Sequence, residues 1–271
     1  MKKNYNFINK IYYNEIINKL PNFLGKRIRK KYKLYYVPTP LKNLPNLNYP
    51  TSHSYEKQKK YLENFRLKNK KQSFMTYPYL IQLLLSSFKK NDEFSFLDMG
   101  GEDIDFYLEL KKEFKNVKYY VFNQSEILNN LNKLKNEYSL KDFKIISNIS
   151  DLYQSNYEFI NFGSSIHYFE NYIETLKIII KVSKKYVFFS GTHLYKSKIE
   201  SLQKHIVVKQ VNLLPKFFYC YFFNRDFFLE PFVNNGYLIA FEKKNLTDNV
   251  NYKNFNHLID EIIYTDTLLI K

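Results

Sequence analysis

Residues 94–107 read Phe94-Ser95-Phe96-Leu97-Asp98-Met99-Gly100-Gly101-Glu102-Asp103-Ile104-Asp105-Phe106-Tyr107. An apolar run ends on an acidic residue, passes through two adjacent glycines and enters a segment with helical periodicity. This is the pattern of a first strand, a tight turn and a first helix at the ligand site of an α/β protein. The chain holds only 6 glycines in 271 residues, so a pair at a strand end calls for a backbone reason. Two glycines here would let backbone approach a ligand and leave helix N-terminal N–H groups free for an anionic group.

The turn is not a dinucleotide fingerprint, because no Gly-x-Gly-x-x-Gly occurs and acidic residues stand at 102, 103 and 105. Those acids would repel a pyrophosphate at close range, which argues against NAD, FAD or ATP. A ligand carrying an amino group and a sulfonium, and no phosphate, suits the turn better.

Outward from this turn the pattern alternates. Strands are expected at 94–98, 117–122, 143–147, 157–162, 185–190, 205–212 and 236–242, with helices over about 103–114, 124–137, 171–182 and 224–233. The first five strands are short, apolar and mostly separated by helices, as parallel crossovers require. The last two strands lack that rhythm and are expected to form an antiparallel, hairpin-like end. Upstream, Met75 to Lys90 carries Tyr79, Leu80, Leu83, Leu84 and Phe88 at helical spacing, and Tyr55 to Asn69 reads as a charged helix. The fold class expected is a Rossmann-like α/β fold, a mostly parallel seven-stranded sheet flanked by helices, with a helical N-terminal extension.

Residues 1–52 differ from the rest. A helix is expected over about Asn4 to Leu20, then a basic stretch at 26–36 with six positive charges, then a linker punctuated by prolines 38, 40, 45 and 50. The domain reading is therefore a basic arm at 1–52, an α/β domain at 53–243 and a polar tail at 244–271 ending in a short helix or strand. The basic stretch suits an anionic membrane surface, each basic residue adding about 1 kcal/mol; a solvated arm is the plainer alternative. The net charge of +16 invites nucleic acid, yet the excess of lysine over arginine, with many Asn, Ile, Tyr and Phe and no Trp, matches the drift of an A/T-rich genome. Nucleic acid is the lesser expectation.

The single cysteine, Cys220, excludes an internal disulfide and any cysteine-rich metal site, and its aromatic neighbours mark it as a packed thiol. No run approaches the roughly 18 apolar residues of a membrane span, and no signal peptide is evident, so a cytoplasmic protein is expected. The five histidines show no zinc spacing, and Gly-x-Ser-x-Gly and phosphate-loop motifs are absent. The aromatic run Phe217–Phe228 reads as core packing or a hairpin covering the sheet, with an acceptor-binding or membrane-facing flap as the alternative.

In a doubly wound sheet, ligands bind beyond the carboxyl ends of the strands. Those ends carry Asp98, Gly100 and Gly101; Asn123, Gln124 and Glu126; Asn148, Ile149 and Ser150; Gly163, Ser164, Ser165 and His167; and Gly191, Thr192 and His193. Turns also favour Gly, Ser and Asn, so each residue alone is a weak signal.

Phe96-Leu97-Asp98-Met99-Gly100-Gly101 resembles the first motif of class I S-adenosylmethionine-dependent methyltransferases, a likeness covering about residues 94–243. More narrowly, the chain resembles methyltransferases encoded with bacterial surface-polysaccharide genes. The segments that carry this are Asp98–Gly101 with Phe106-Tyr107, Ser165-Ile166-His167-Tyr168-Phe169, Gln210–Pro215 and Phe232–Tyr237.

The resemblance implies that Asp98, Gly100 and Gly101 cradle the methionine part of S-adenosylmethionine. Asn123 and Gln124 would bond the ribose diol where an acid is usual, Asn148 and Ile149 would flank the adenine, and Gly163, Ser164 and Ser165 would line the floor under the methyl. A sugar or other small acceptor follows from the same likeness. The family's further glycines are replaced by Glu102 and Ile104, which leaves open a scaffold that keeps the fold without catalysis; a nucleic-acid methyltransferase is the other alternative. For a hydroxyl acceptor a base helps, and His167 and His193 are the candidates because an ordinary imidazole titrates near 6.5. For either, a structural or surface histidine is the alternative, and Tyr168 and Tyr195 are weaker candidates for the acceptor site.

Overall fold

The structure is a computed structural model, and it describes residues 27, 31, 33–45, 55, 56, 59, 60, 63, 80–102, 104–197, 199, 202–211, 217–245, 250–252, 255, 259 and 261–271. The helix expected over residues 4–20, residues 26, 28–30 and 32 of the basic stretch, most of the 55–69 helix, residues 75–79 of the helix expected over 75–90, and residues 212–216 lie outside the described residues. In chain order the elements are β1 (Tyr36–Pro38), α1 (Leu80–Ser87), β2 (Glu93–Met99), α2 (Asp105–Glu113), β3 (Asn116–Phe122), α3 (Ser125–Glu137), β4 (Phe143–Ile146) and β5 (Tyr157–Gly163). They continue with α4 (Tyr172–Val182), β6 (Ser183–Lys196), β7 (His205–Gln210), β8 (Phe218–Asn224), α5 (Arg225–Val233), β9 (Leu238–Lys244) and β10 (Glu261–Ile270). Short 3-10 turns cover Ile149–Gln154 and Ile166–Tyr168.

The chain forms two compact units. One takes described residues from 48–192, 231–243 and 266–271. Its strands run in the order β4-β3-β2-β5-β6-β10-β9, with β6 contributing residues through Thr192 and β10 from Asp266. The four neighbours β4–β3, β3–β2, β2–β5 and β5–β6 are parallel. This is the doubly wound, Rossmann-like order.

Side chains alternate across the strands. Phe94, Phe96, Tyr119, Phe143, Phe159 and Phe188 therefore share one face, packed with Leu84, Leu110, Leu131 and Leu134 from α1, α2 and α3. Phe159, Phe96, Tyr119 and Phe143 stack as a row across four strands, each ring 5.4 Å from the next. Burying one such ring stabilises the unit by about 2–3 kcal/mol. Ile104 sits in the same cluster at 1% exposure.

The second unit takes described residues from 1–47, 193–230 and 244–265. Here β1 pairs antiparallel with β7, β7 antiparallel with β8, and Leu194 and Tyr195 of β6 lie parallel to Phe223 and Asn224 of β8. The aromatic run is thus mainly the strand β8 followed by α5, and Cys220 within it is fully buried. Burial raises that thiol's pKa well above its usual range.

Two expectations change. The strands at 205–210 and 238–244 do not form one antiparallel end, because β7 pairs with β1 and β8 whereas β9 pairs with β10. The sheet holds 10 strands, some of them antiparallel, rather than seven, and the short helix or strand expected at the end of the tail is the strand β10, whose Leu268 and Leu269 are buried. The seventh strand of the first unit comes from the end of the chain, beyond the reach of a local hairpin reading.

Candidate functional site

The parallel strands end on one edge, β2 at Met99, β3 at Phe122, β4 at Ile146 and β5 at Gly163. Strand order reverses between β2 and β5, and the crevice of a doubly wound sheet opens at that reversal. The structure brings Asp98, Gly100, Gly101, Asn123, Gln124, Asn148, Ile149, Gly163, Ser164 and Ser165 to this edge within one unit.

Asp98 is 6% exposed. Its Oδ2 accepts from the Tyr119 hydroxyl at 2.5 Å, and its Oδ1 from the Asn161 amide at 2.8 Å. A Cβ on Gly101 would lie 2.4 Å from Asp98 Oδ2, so no larger residue fits without moving the carboxylate. Gly100 has φ +83°, and a Cβ there would meet Ser165 Cβ at 2.4 Å. The Ser165 hydroxyl donates to the Met99 carbonyl, and the Gly100 N–H to the Phe122 carbonyl at 2.7 Å. Both glycines therefore answer first to the chain's own Asp98 and Ser165.

Asn123 is turned toward the same turn. Its amide donates to the Gly101 carbonyl at 2.9 Å, and its Oδ1 accepts from the Gln124 N–H at 2.7 Å. Gln124 and Asn148 are exposed, and Asn148 reaches Asp151 at 3.3 Å. No side chain hydrogen bond caps α2 at Ile104, whose side chain turns into the core. The backbone N–H groups at the start of α2 attract an anionic group, and the charge of Glu102 beside them opposes it.

Charge separates this edge from the rest of the chain. The stretches 98–104, 122–127, 146–152 and 163–171 contain no Lys or Arg, although the chain has 42; they contain Asp98, Glu102, Asp103, Glu126, Asp151 and Glu170. Such an edge favours a cationic ligand and disfavours a phosphate.

His167 lies in the 3-10 turn after β5, buried, its ring 4.2 Å from that of Tyr168. Burial lowers its pKa to about 3. The imidazole is thus neutral near pH 7, unlike the ordinary titration expected from sequence. His193 belongs to the other unit, stacked on Phe222 at 4.1 Å and packed against Tyr36 at 4.7 Å and Tyr264 at 4.5 Å. Tyr195 donates to the Leu202 carbonyl at 2.7 Å. Among the described residues, no cluster of His, Cys, Asp or Glu could hold a metal ion.

Sequence reading missed Tyr119 and Asn161, which both donate to Asp98. Asn161 left a signal, a lone amide in the apolar strand Tyr157–Gly163; Tyr119, one of 26 tyrosines, left none.

Together the strand order and the edge define a doubly wound α/β protein. Its crevice is built from glycine, serine, amide and carboxylate groups. No family model and no curated protein matches the sequence. Solved structures similar to it include an S-adenosylmethionine-dependent methyltransferase from Clostridium acetobutylicum, 12% identical, covering 79% of this chain and 97% of that one, with TM-score 0.46. Another is the Burkholderia thailandensis 1,6-didemethyltoxoflavin-N1-methyltransferase with bound 1,6-didemethyltoxoflavin and S-adenosylhomocysteine, 9% identical, covering 88% and 99%, with TM-score 0.45. A glycopeptide N-methyltransferase complexed with S-adenosylhomocysteine is 7% identical, covering 77% and 95%, with TM-score 0.47. These likenesses are distant, and the chain's own strand order and residues carry the reading below.

Proposed function

We propose that the protein is a methyltransferase that takes S-adenosylmethionine in the crevice beyond β2 and β5. The observation that carries this is the set of four strand-end stretches free of Lys and Arg, in a chain of net charge +16, around a glycine turn packed on a buried carboxylate. Bound there, S-adenosylmethionine supplies a methyl group on a cationic sulfur. The N–H groups at the start of α2 would receive its carboxylate, and Asn123 with Gln124 its ribose. Asn148 and Ile149 would flank the adenine, and Gly163, Ser164 and Ser165 would form the floor. Asp98, with both oxygens occupied by Tyr119 and Asn161, braces the turn beneath the ligand.

Methyl transfer needs an in-line approach, so positioning supplies much of the rate. A neutral His167 with so low a pKa is a weak base near neutrality, and its proposed part is to orient an acceptor group by a hydrogen bond. The ring packing of His193 supports a structural part for that residue. Alanine at each position separates these roles. His167→Ala is expected to lower methyl transfer with cofactor affinity kept, and His193→Ala to lower thermal stability first.

The acceptor proposed is a sugar or other small molecule of surface-polysaccharide synthesis, from the sequence resemblance. Basic residues 26–36 are proposed to rest on anionic lipid at the cytoplasmic face. No helix among the described residues is long and apolar enough to cross a membrane. Vesicle sedimentation tests this arm; equal recovery on neutral and anionic lipid defeats it. Titration calorimetry with S-adenosylhomocysteine tests the cofactor. Binding in the micromolar range is expected, and no heat at roughly millimolar ligand would overturn the assignment.

A further inference from the structure

Asp266 lies on β10, 3% exposed, far in sequence from the glycine turn. Its Oδ1 accepts from the Ser190 hydroxyl and from the Gly191 N–H, each at 2.9 Å. Gly191 has φ +55°, a left-handed residue inside β6, and its N–H is directed at this carboxylate. The preceding residue, Ser190, sits in register with Gly163 of β5. The Ser190 carbonyl accepts the Ser164 N–H at 2.9 Å, and that N–H also reaches the Phe162 carbonyl at 2.9 Å. Ser164 is held at φ +54°, a conformation that a non-glycine residue adopts at a cost of about 1–3 kcal/mol. Next in the chain, Ser165 donates to Met99 and fills the space against Gly100.

We infer that Asp266 is a positioning residue of the crevice. Its carboxylate holds the Ser190-Gly191 bend, which holds the strained Ser164, which places Ser165 against the glycine turn. Each link is a hydrogen bond, a van der Waals contact or the peptide bond between Ser164 and Ser165, all within one compact unit. A carboxylate on the last strand thereby sets the backbone of residues 163–165 and, through Ser165, that of Gly100. The part concerning ligand affinity rests on the function proposed above; the part concerning the backbone does not.

The test uses the full chain with Asp266→Asn, Asp266→Ala and Ser190→Ala. Amide hydrogen exchange is read at Gly191, Ser164 and Gly100, and S-adenosylhomocysteine affinity by calorimetry. Asp266→Asn keeps the Oδ1 acceptor and is expected to stay within about threefold of the parent in both. Asp266→Ala is expected to speed exchange at Gly191 and Ser164 by about tenfold or more relative to the centre of β3, and to weaken binding by about tenfold. A folded Asp266→Ala protein with unchanged exchange at Ser164 and unchanged affinity overturns the inference, as does exchange that accelerates equally over β3. Should Asp266→Ala not fold, Ser190→Ala decides: faster exchange at Ser164 than at β3 supports the chain of contacts, and no difference refutes it. If the parent binds no S-adenosylhomocysteine, the functional reading fails, and exchange at Ser164 alone then decides for or against Asp266.

Discussion

At Gly100 two constraints coincide, a φ of +83° and a Cβ position already filled by Ser165. Gly100→Ala is therefore expected to cost about 2 kcal/mol or more, read by urea unfolding. Adding Ser165→Gly should recover only the overlap, so the pair is non-additive and the residue of strain remains. His167 gives a pH signature. Its folded pKa of about 3 lies below the 6.5 of a free imidazole, so between those values the unfolded chain binds more protons. Its contribution is complete above about pH 6.5 and declines as pH falls, by about 1.4 kcal/mol per unit. Unfolding free energies of His167→Asn from pH 7 to pH 5 should show a correspondingly shallower slope; an unchanged slope would place the effect elsewhere.

Helix α3 shows how an element's end is set. Its buried Ile127, Leu128, Leu131 and Leu134 follow the apolar spacing that marks it in the sequence. It ends with the Leu140 N–H on the Lys135 carbonyl at 3.0 Å and the Ser139 N–H on the Asn136 carbonyl at 3.3 Å. Ser139 takes φ +51° at the position where glycine is usual. Ser139→Gly is expected to stabilise the protein by about 0.5 kcal/mol, because relief of the left-handed strain exceeds the added chain entropy. Thermal melting checks the sign. Helices at 105–113, 125–137, 172–182 and 225–233 and most strands fall where periodicity puts them, since each buries a face of its own sequence. β1 and β8 did not show themselves, and β10 showed only as a short terminal helix or strand: aromatic runs and a polar approach hide strands whose identity depends on which neighbour they meet.

For the whole molecule the decisive element is β10. It lies between β6 and β9 and supplies Leu268 and Leu269 to the core and Asp266 to the bend in β6. Deleting residues 261–271 is expected to abolish cooperative urea unfolding, with near-ultraviolet dichroism lost at all denaturant concentrations. A deletion protein that unfolds as sharply as the parent would show that β10 is dispensable.

By itself the sequence determined the first strand, the glycine turn and the succession of helices and parallel strands. It also determined an edge whose loops lack basic residues, because these depend on local periodicity, turn chemistry and charge. Only the tertiary structure decided that the chain's end completes the first unit's sheet. It alone showed that Asp98 is held by Tyr119 and Asn161, and that His167 is neutral. Each of those depends on contacts between residues far apart in the chain, and on burial that no local pattern records.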